Sequence, residues 1–367
     1  MLDSSVITKL GVKTVARFYK KRTETLRKHP GEMVYIGNNL KNESKIDKIT
    51  YTPEKMTGRI HSLVDETTNF PETEEISWIN IEGVSDVKSM KILKNRFNLN
   101  SLIIADIMNT GTRPKYQSLE NNLFFSLKML RYDQEKERIL SEQLSIIVFK
   151  NTLVTFQEVP GDVFDPIREN LMMKDSKIRS EKIGYLIHSI LDCLVDNYIS
   201  ILQLLAERIE DMEELLLDHP DETVMEKLIS SKKDLLYLVK SIRPAREAFK
   251  QLINEKPTEI RNYMHYFNDL FSNITHVYET VELYKELTTE QMNTYNSYMN
   301  NRLNDIMRFL TVFSVIFLPL TLVAGIYGTN FEFIPELHLR FGYLYFWIIM
   351  LTLAGLMIYI FKKKKWM

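Results

Sequence analysis

The sequence predicts an α+β domain with a mixed or antiparallel sheet, then a long helical stalk, then two membrane helices at the C-terminal end. Three observations carry this. Short β-rich runs interleave with helical ones between residues 31 and 179. From about Ser180 the apolar spacing turns helical and stays so. Phe309–Phe331 and Phe341–Phe361 are runs of 23 and 21 residues without a charge.

Residues 1–30 carry eight Lys and Arg, among them Lys9, Lys13, Lys20, Lys21 and Arg22, and are expected to form a basic tail. Such a segment can be a solvated end or can meet anionic lipid. From residue 31 to 179 the predicted strands are Met33–Ile36, Lys48–Tyr51, Ile76–Ile81, Leu123–Leu130, Leu144–Phe149 and Leu153–Glu158. Asp86–Phe97 and Leu102–Met108 read as helices between them.

Residues 180–307 form the predicted helical stalk. Leu186, Ile190, Leu194, Tyr198, Ile201 and Leu205 make one apolar stripe, and His219-Pro220 breaks it before a second helix. The first helix ends in Glu207, Glu210, Asp211, Glu213, Glu214 and Asp218. This stretch is either a solvated face or a means of concentrating divalent cations. After Lys256-Pro257 a further helical pattern runs from Thr258 to Tyr327, 70 residues, or roughly 105 Å if helical throughout.

Residues 308–362 form the predicted membrane part: one span over about 308–327, a loop at 328–340 and a second span over about 341–361. Each apolar run makes a helix of roughly 30–35 Å, the thickness of a bilayer's hydrocarbon. A buried core hairpin is the alternative reading, but two adjacent uncharged runs at a chain end argue against it. Arg302 and Arg308 precede the first span, and Lys362 to Lys365 open the basic segment 362–367. Both termini are therefore expected in the cytoplasm, which the lack of an apolar signal core at the N-terminus supports. The connecting loop then lies outside, where Glu332 and Glu336 can attract cations or be ordinarily solvated.

On the first span Asn304, Met307, Leu310, Ser314, Leu318, Thr321 and Gly325 recur every three or four residues and share one stripe. Read as a pore wall, Asn304 and Thr321 touch the water shell of an ion, while Met307, Leu310 and Leu318 form apolar constrictions. Read as packing, Ser314 and Thr321 bond back to the preceding turn and the small residues allow close helix approach. Two helices cannot enclose a pore alone, so conduction implies a ring of copies. Pro319 frees one carbonyl mid-helix.

Composition excludes several classes. Lys+Arg of 47 against Asp+Glu of 48 leaves a net charge of -1, so no global field favours nucleic acid. Cys193 is the single cysteine, which rules out an intrachain disulfide. The seven His show no zinc-ligand spacing with it. No phosphate-binding loop, dinucleotide fingerprint or His-Glu-x-x-His appears, so neither an enzyme nor an organic cofactor is expected. The spans hold no Asp, Glu, Lys or Arg, against a proton-coupled carrier.

Tyr327-Gly328-Thr329-Asn330-Phe331-Glu332, entered through Ala324-Gly325-Ile326, resembles the signature loop of the CorA family of divalent-cation (magnesium/cobalt) transport proteins. Gln157-Glu158 and the stretch from Gly161 to Glu169 are similar to a second stretch of that family, and Leu318-Pro319-Leu320-Thr321 and the terminal Lys-rich Trp segment also fit. The resemblance runs from about Gly31 to the end. It implies a funnel-shaped homopentamer in the cell (inner) membrane whose Gly328, Thr329 and Asn330 form a selectivity ring. An amide oxygen of Asn330 suits a hydrated Mg2+, which gives up its water reluctantly. Thr329 stands where the family usually has Met, which puts the order of Mg2+, Co2+, Ni2+ and Zn2+ in question.

The resemblance further implies a regulatory Mg2+ between subunits, held by Asp106 in Ile103-Ile104-Ala105-Asp106-Ile107 and Asp269 in Tyr266-Phe267-Asn268-Asp269-Leu270. The family often has a second acid where this chain has Ala105. Two carboxylates that meet across an interface repel unless a cation sits between them, so losing Mg2+ would loosen it. On this reading the protein is a Mg2+ influx channel gated by intracellular Mg2+ that also passes Co2+ or Ni2+. A divalent ion gains roughly 4.6 kcal/mol across 100 mV, so no ATP is required. A Zn2+ or Co2+ transporter, with proton drive as an option, and a non-conducting membrane sensor are the alternatives.

Overall fold

In the computed structural model of the chain the described residues are 31–37, 43–64, 74–120, 122–135, 137–218, 220–330, 332, 334–364 and 366. The basic segment 1–30, His219, Phe331 and Lys365 lie outside them. The chain divides into two units, Met1–Glu290 and Gln291–Met367.

In the first unit a seven-stranded sheet is built from β1 (Lys45–Tyr51), β2 (Met56–Leu63), β3 (Ile76–Glu82), β4 (Lys115–Ser118), β5 (Leu123–Asp133), β6 (Arg138–Val148) and β7 (Thr152–Gln157). Its order is β2-β1-β3-β7-β6-β5-β4. Only the β3–β7 pair is parallel, so the sheet is mixed. Helices α1 (Val87–Arg96) and α2 (Ser101–Met108) connect β3 to β4. Asp86 caps α1 by accepting from the Lys88 and Ser89 amides at 3.0 and 3.2 Å, and Asn100 caps α2 through the Leu102 amide at 3.0 Å.

Helices α3 (Asp165–Met172) and α4 (Lys177–Ser180) follow the sheet, then α5 (Ile183–Asp218) and α6 (Glu222–Glu255). Neighbouring strand residues serve two cores because side chains alternate across the pleat. Phe124, Ile147, Val154 and Ile79 pack with Met90, Leu93, Ile104 and Met108 of α1 and α2. Phe125, Ile146, Leu153 and Trp78 pack with Leu186, Ile190, Leu194 and Tyr198 of α5. Both faces of the sheet are covered, which is why its central strands carry apolar residues on both sides of the pleat, with Ser77, Asn80, Ser145 and Thr155 buried among them.

Lys256 ends α6 in the left-handed region at φ 47°, and Pro257 follows. A 3-10 turn, Arg261–Tyr263, then leads into α7 (Met264–Tyr327). That helix starts later than the sequence pattern suggests because Thr258–Ile260 is taken up by a turn. Met33–Ile36 is not a strand. Among the described residues Ile36 forms a parallel bridge to Asn109, its amide donating to the Met108 carbonyl at 3.0 Å and its carbonyl accepting from the Thr110 amide at 2.9 Å, which is a bridge rather than a ladder. Edge strands β2 and β4 lie outside the predicted set, as do the short helices α3 and α4.

In the second unit the C-terminal part of α7 is followed by the 3-10 turn Pro335–His338 and α8 (Gly342–Lys363). Among the described residues three helices have the length and apolarity to cross a membrane: α5, the helix ending at Tyr327, and α8. The most apolar window of α5 is 44% buried within the protein, whereas the other two are 6% buried. Helix α5 is thus core, and the other two present their apolar surface outward.

Candidate functional site

Helix α7 presents every residue of the proposed pore stripe outward. Asn304, Met307, Leu310, Ser314, Leu318, Thr321 and Gly325 are all exposed, and a Cβ added to Gly325 would meet nothing within 4 Å. At 100° per residue the seven fall within about 120° of one another. The Thr321 hydroxyl donates to the Phe317 carbonyl at 2.8 Å, as Thr311 does to Met307 at 2.7 Å. Its donor is therefore spent inside the helix, while its lone pairs remain outward as acceptors.

The helix ends at the Gly-Thr-Asn turn. Gly328 donates its amide to the Ala324 and Gly325 carbonyls at 3.0 and 3.2 Å. A Cβ there would come within 3.2 Å of the Ala324 oxygen, so the position suits glycine. Thr329 closes the last turn twice, from its amide and its hydroxyl, both onto the Ile326 carbonyl at 3.3 and 2.7 Å. Asn330 follows with an exposed side chain, and Glu332 is exposed beside it. Glu336 falls in the Pro335–His338 turn, its side chain outside the described part. Tyr327 meets Phe346 of α8 edge-on at 5.5 Å.

Asp106 sits on α2 and forms an ion pair with Lys115 of β4, Nζ to Oδ2 at 2.6 Å. The buried Gln143 amide fixes the backbone of Asp106 by donating to its carbonyl at 2.8 Å. Ala105 and Asp106 line a cavity of about 760 Å3, along with Asn109, Gln117, Gln251 and Glu255. Asp269 is exposed on α7 and accepts from the Asn273 amide at 3.5 Å.

Two α5 residues feel the charge of Asp269. Burial pushes the Asp192 carboxyl up to about 6, with Asp196 and Asp269 adding repulsion. Burial holds His188 down to about 4, against the pull of Asp269. Asp106 and Asp269 thus keep separate company within one chain. Among the described residues no group of three or more His, Cys, Asp or Glu could hold a metal ion. Asp106 and Asp269 each offer carboxylate oxygens, the donor type that a hydrated Mg2+ prefers.

Lys115 and Asp192 did not emerge from sequence reasoning. Asp192 had a signal, since it and Asp196 are the only charges between Ile183 and Ala206. Lys115 had none, because strand register brings it to Asp106. The acidic residues between Glu207 and Asp218 are exposed while Ile209, Met212 and Leu216 between them are buried, and Glu210 accepts the Tyr284 hydroxyl at 2.7 Å.

The family described as CorA-like Mg2+ transporter protein matches residues 73–363. The chain belongs to the CorA family. It is 34% identical over 339 residues to the cobalt/magnesium transport protein CorA of Thermotoga maritima, covering 92% of this chain and 96% of that one. It is 30% identical to a putative metal ion transporter of Bacillus subtilis, over 79% of this chain and 89% of that one. The solved structure of the CorA magnesium transporter from Methanocaldococcus jannaschii matches with a TM-score of 0.71 at 22% identity, covering 89% of this chain and 100% of that one. The match to that solved structure shows a shared fold over 89% of this chain.

Proposed function

We propose that this chain is a Mg2+ influx channel of the cell (inner) membrane, also able to pass Co2+ or Ni2+. The observation that carries this reading is the fully exposed stripe of α7, which ends on the Gly-Thr-Asn turn. That surface has no role in a lone chain and fits a ring of copies, a homopentamer by family likeness. Residues 31–179 and 180–307 are the cytoplasmic domain and stalk, and 308–362 the pore, with both termini in the cytoplasm.

Asn330 offers amide oxygens to a hydrated cation, which a neutral ring grips without trapping. Gly328 and Thr329 hold Asn330 at the end of the helix. Below it, the Thr321 lone pairs and Asn304 face the ion's water shell, while Met307, Leu310 and Leu318 form apolar constrictions that gate by dewetting. Glu332 and Glu336 raise the cation concentration outside. Asp106 of one subunit and Asp269 of its neighbour are the ligands of a regulatory Mg2+, and the half-buried Asp192 extends the negative field around Asp269.

The test is uptake by proteoliposomes enclosing a Mg2+-sensitive dye, at low and high internal Mg2+. Influx that falls as internal Mg2+ rises, with Asp106→Lys removing that fall, supports the reading. Zn2+ uptake that follows a pH gradient, without Mg2+ influx, contradicts it.

A further inference from the structure

Asp106 is already neutralised by a cation of its own chain. Lys115 opens the edge strand β4, where its backbone is paired with Ser126 of β5, and its ammonium lies 5.8 Å from the Phe124 ring centroid. Strand pairing and the ring hold the side chain in place, and the ammonium meets Asp106 Oδ2 at 2.6 Å. The pair is neither solvent-flooded nor sealed, with side chains 30% and 27% exposed. The adjacent cavity, about 760 Å3, leaves Asp106 open to a hydrated ion. Ala105 brings no second carboxylate to share the load.

We infer that Lys115 is a tethered competitor for the divalent cation at Asp106, and that it sets the Mg2+ concentration at which the protein closes. This rests on the reading of Asp106 as a regulatory ligand. A metal can use that oxygen only when the ammonium leaves it, so the apparent affinity falls by the factor by which the ion pair is populated. A half-exposed pair of this kind makes that factor about two- to fivefold. The ammonium also covers the carboxylate once Mg2+ is withdrawn, so repulsion from Asp269 is softened.

The experiment uses the full-length protein in detergent and needs no transport. Mg2+ is titrated while limited proteolysis is followed, and the midpoint of protection is read as a binding midpoint. Lys115→Gln and Lys115→Met, the latter keeping an unbranched apolar stem over Phe124, are both expected to lower the midpoint about two- to fivefold. Lys115→Arg keeps a cation and is expected to stay close to the parent. Asp106→Asn is expected to raise the midpoint sharply. An unchanged midpoint in Lys115→Gln or Lys115→Met, with Asp106→Asn raised, overturns the role of Lys115 and leaves Asp106 as a ligand. A shift in Lys115→Arg as large as in Lys115→Gln overturns it too, since charge is then not the cause. If Asp106→Asn matches the parent, the underlying reading of Asp106 fails instead.

Discussion

The Thr329 hydroxyl donates to the Ile326 carbonyl at 2.7 Å and folds the middle side chain of the Gly-Thr-Asn turn back onto the end of α7. The same carbonyl accepts the Thr329 amide at 3.3 Å. A methionine at this position could not make the first of these bonds. The β-branched hydroxyl thus stiffens the turn that presents Asn330.

Thr329→Val keeps the shape and removes the donor. A hydrogen bond of this kind contributes about 1 kcal/mol, so Mg2+ influx into proteoliposomes is expected to drop about fivefold. Thr329→Ser is expected to retain most of the flux. Equal influx in Thr329→Val and the parent would remove any role for the hydroxyl.

Arg168 forks onto Asp162 at 2.5 and 2.6 Å, reaches Asp165 at 2.9 Å and lies 5.0 Å from the centre of the Trp78 ring. Asp162 is only 2% exposed in this pair. Arg168→Ala leaves that carboxylate buried and uncompensated, at a cost of about 3–5 kcal/mol. The melting temperature followed by circular dichroism is expected to fall well below that of Asp165→Ala, whose carboxylate is exposed.

Glu142 is pushed up to about 7 by burial, against the pull of Arg131 and the Val159 amide, with Glu158 adding repulsion. Its folded-state pKa lies above the ordinary carboxylate value, so the fold binds a proton more tightly than the unfolded chain. That contribution is complete below about pH 4.5 and is lost as pH rises toward 7, at most about 3 kcal/mol. Melting temperatures from pH 5 to 8 are expected to fall more in the parent than in Glu142→Gln. Parallel curves for the two proteins would contradict this.

Gly184 lies where α5 begins against the entry to α7. A Cβ there would come within 2.2 Å of the Glu259 carbonyl oxygen, and backbone cannot swing aside as a side chain can. Gly184→Ala is expected to cost about 1–3 kcal/mol, read as a lower thermal midpoint. An unchanged midpoint would mean that this contact is looser than the geometry indicates.

What the sequence made legible follows from burial. The α5 stripe from Leu186 to Leu205 is buried throughout, so its helical spacing is clean. Leu123–Leu130 of β5, Leu144–Val148 of β6 and Leu153–Phe156 of β7 are mostly buried and mostly apolar, so the cores of these strands stand out. Edge strand β2, Met-Thr-Gly-Arg-Ile-His-Ser-Leu, mixes polar, charged and glycine residues and gives little periodic signal, and β4 has only four residues. Met33–Ile36 has the composition of a strand but forms a bridge at Ile36 instead of a ladder, because pairing is a tertiary fact. The pore stripe was readable from its spacing. The Lys115–Asp106 pair was not, since the partners stand nine positions apart across the end of α2 and a turn, and only the fold brings them together.

The central claim is that Asn330 at the end of α7 faces a Mg2+ pathway closed by Mg2+ itself. Mg2+ influx into liposomes at low and high internal Mg2+, with the parent and Asn330→Ala side by side, tests it most directly. Influx in the parent is expected to shut off as internal Mg2+ rises, with none above background in Asn330→Ala. Parent and Asn330→Ala influx of equal size, indifferent to internal Mg2+, would contradict it.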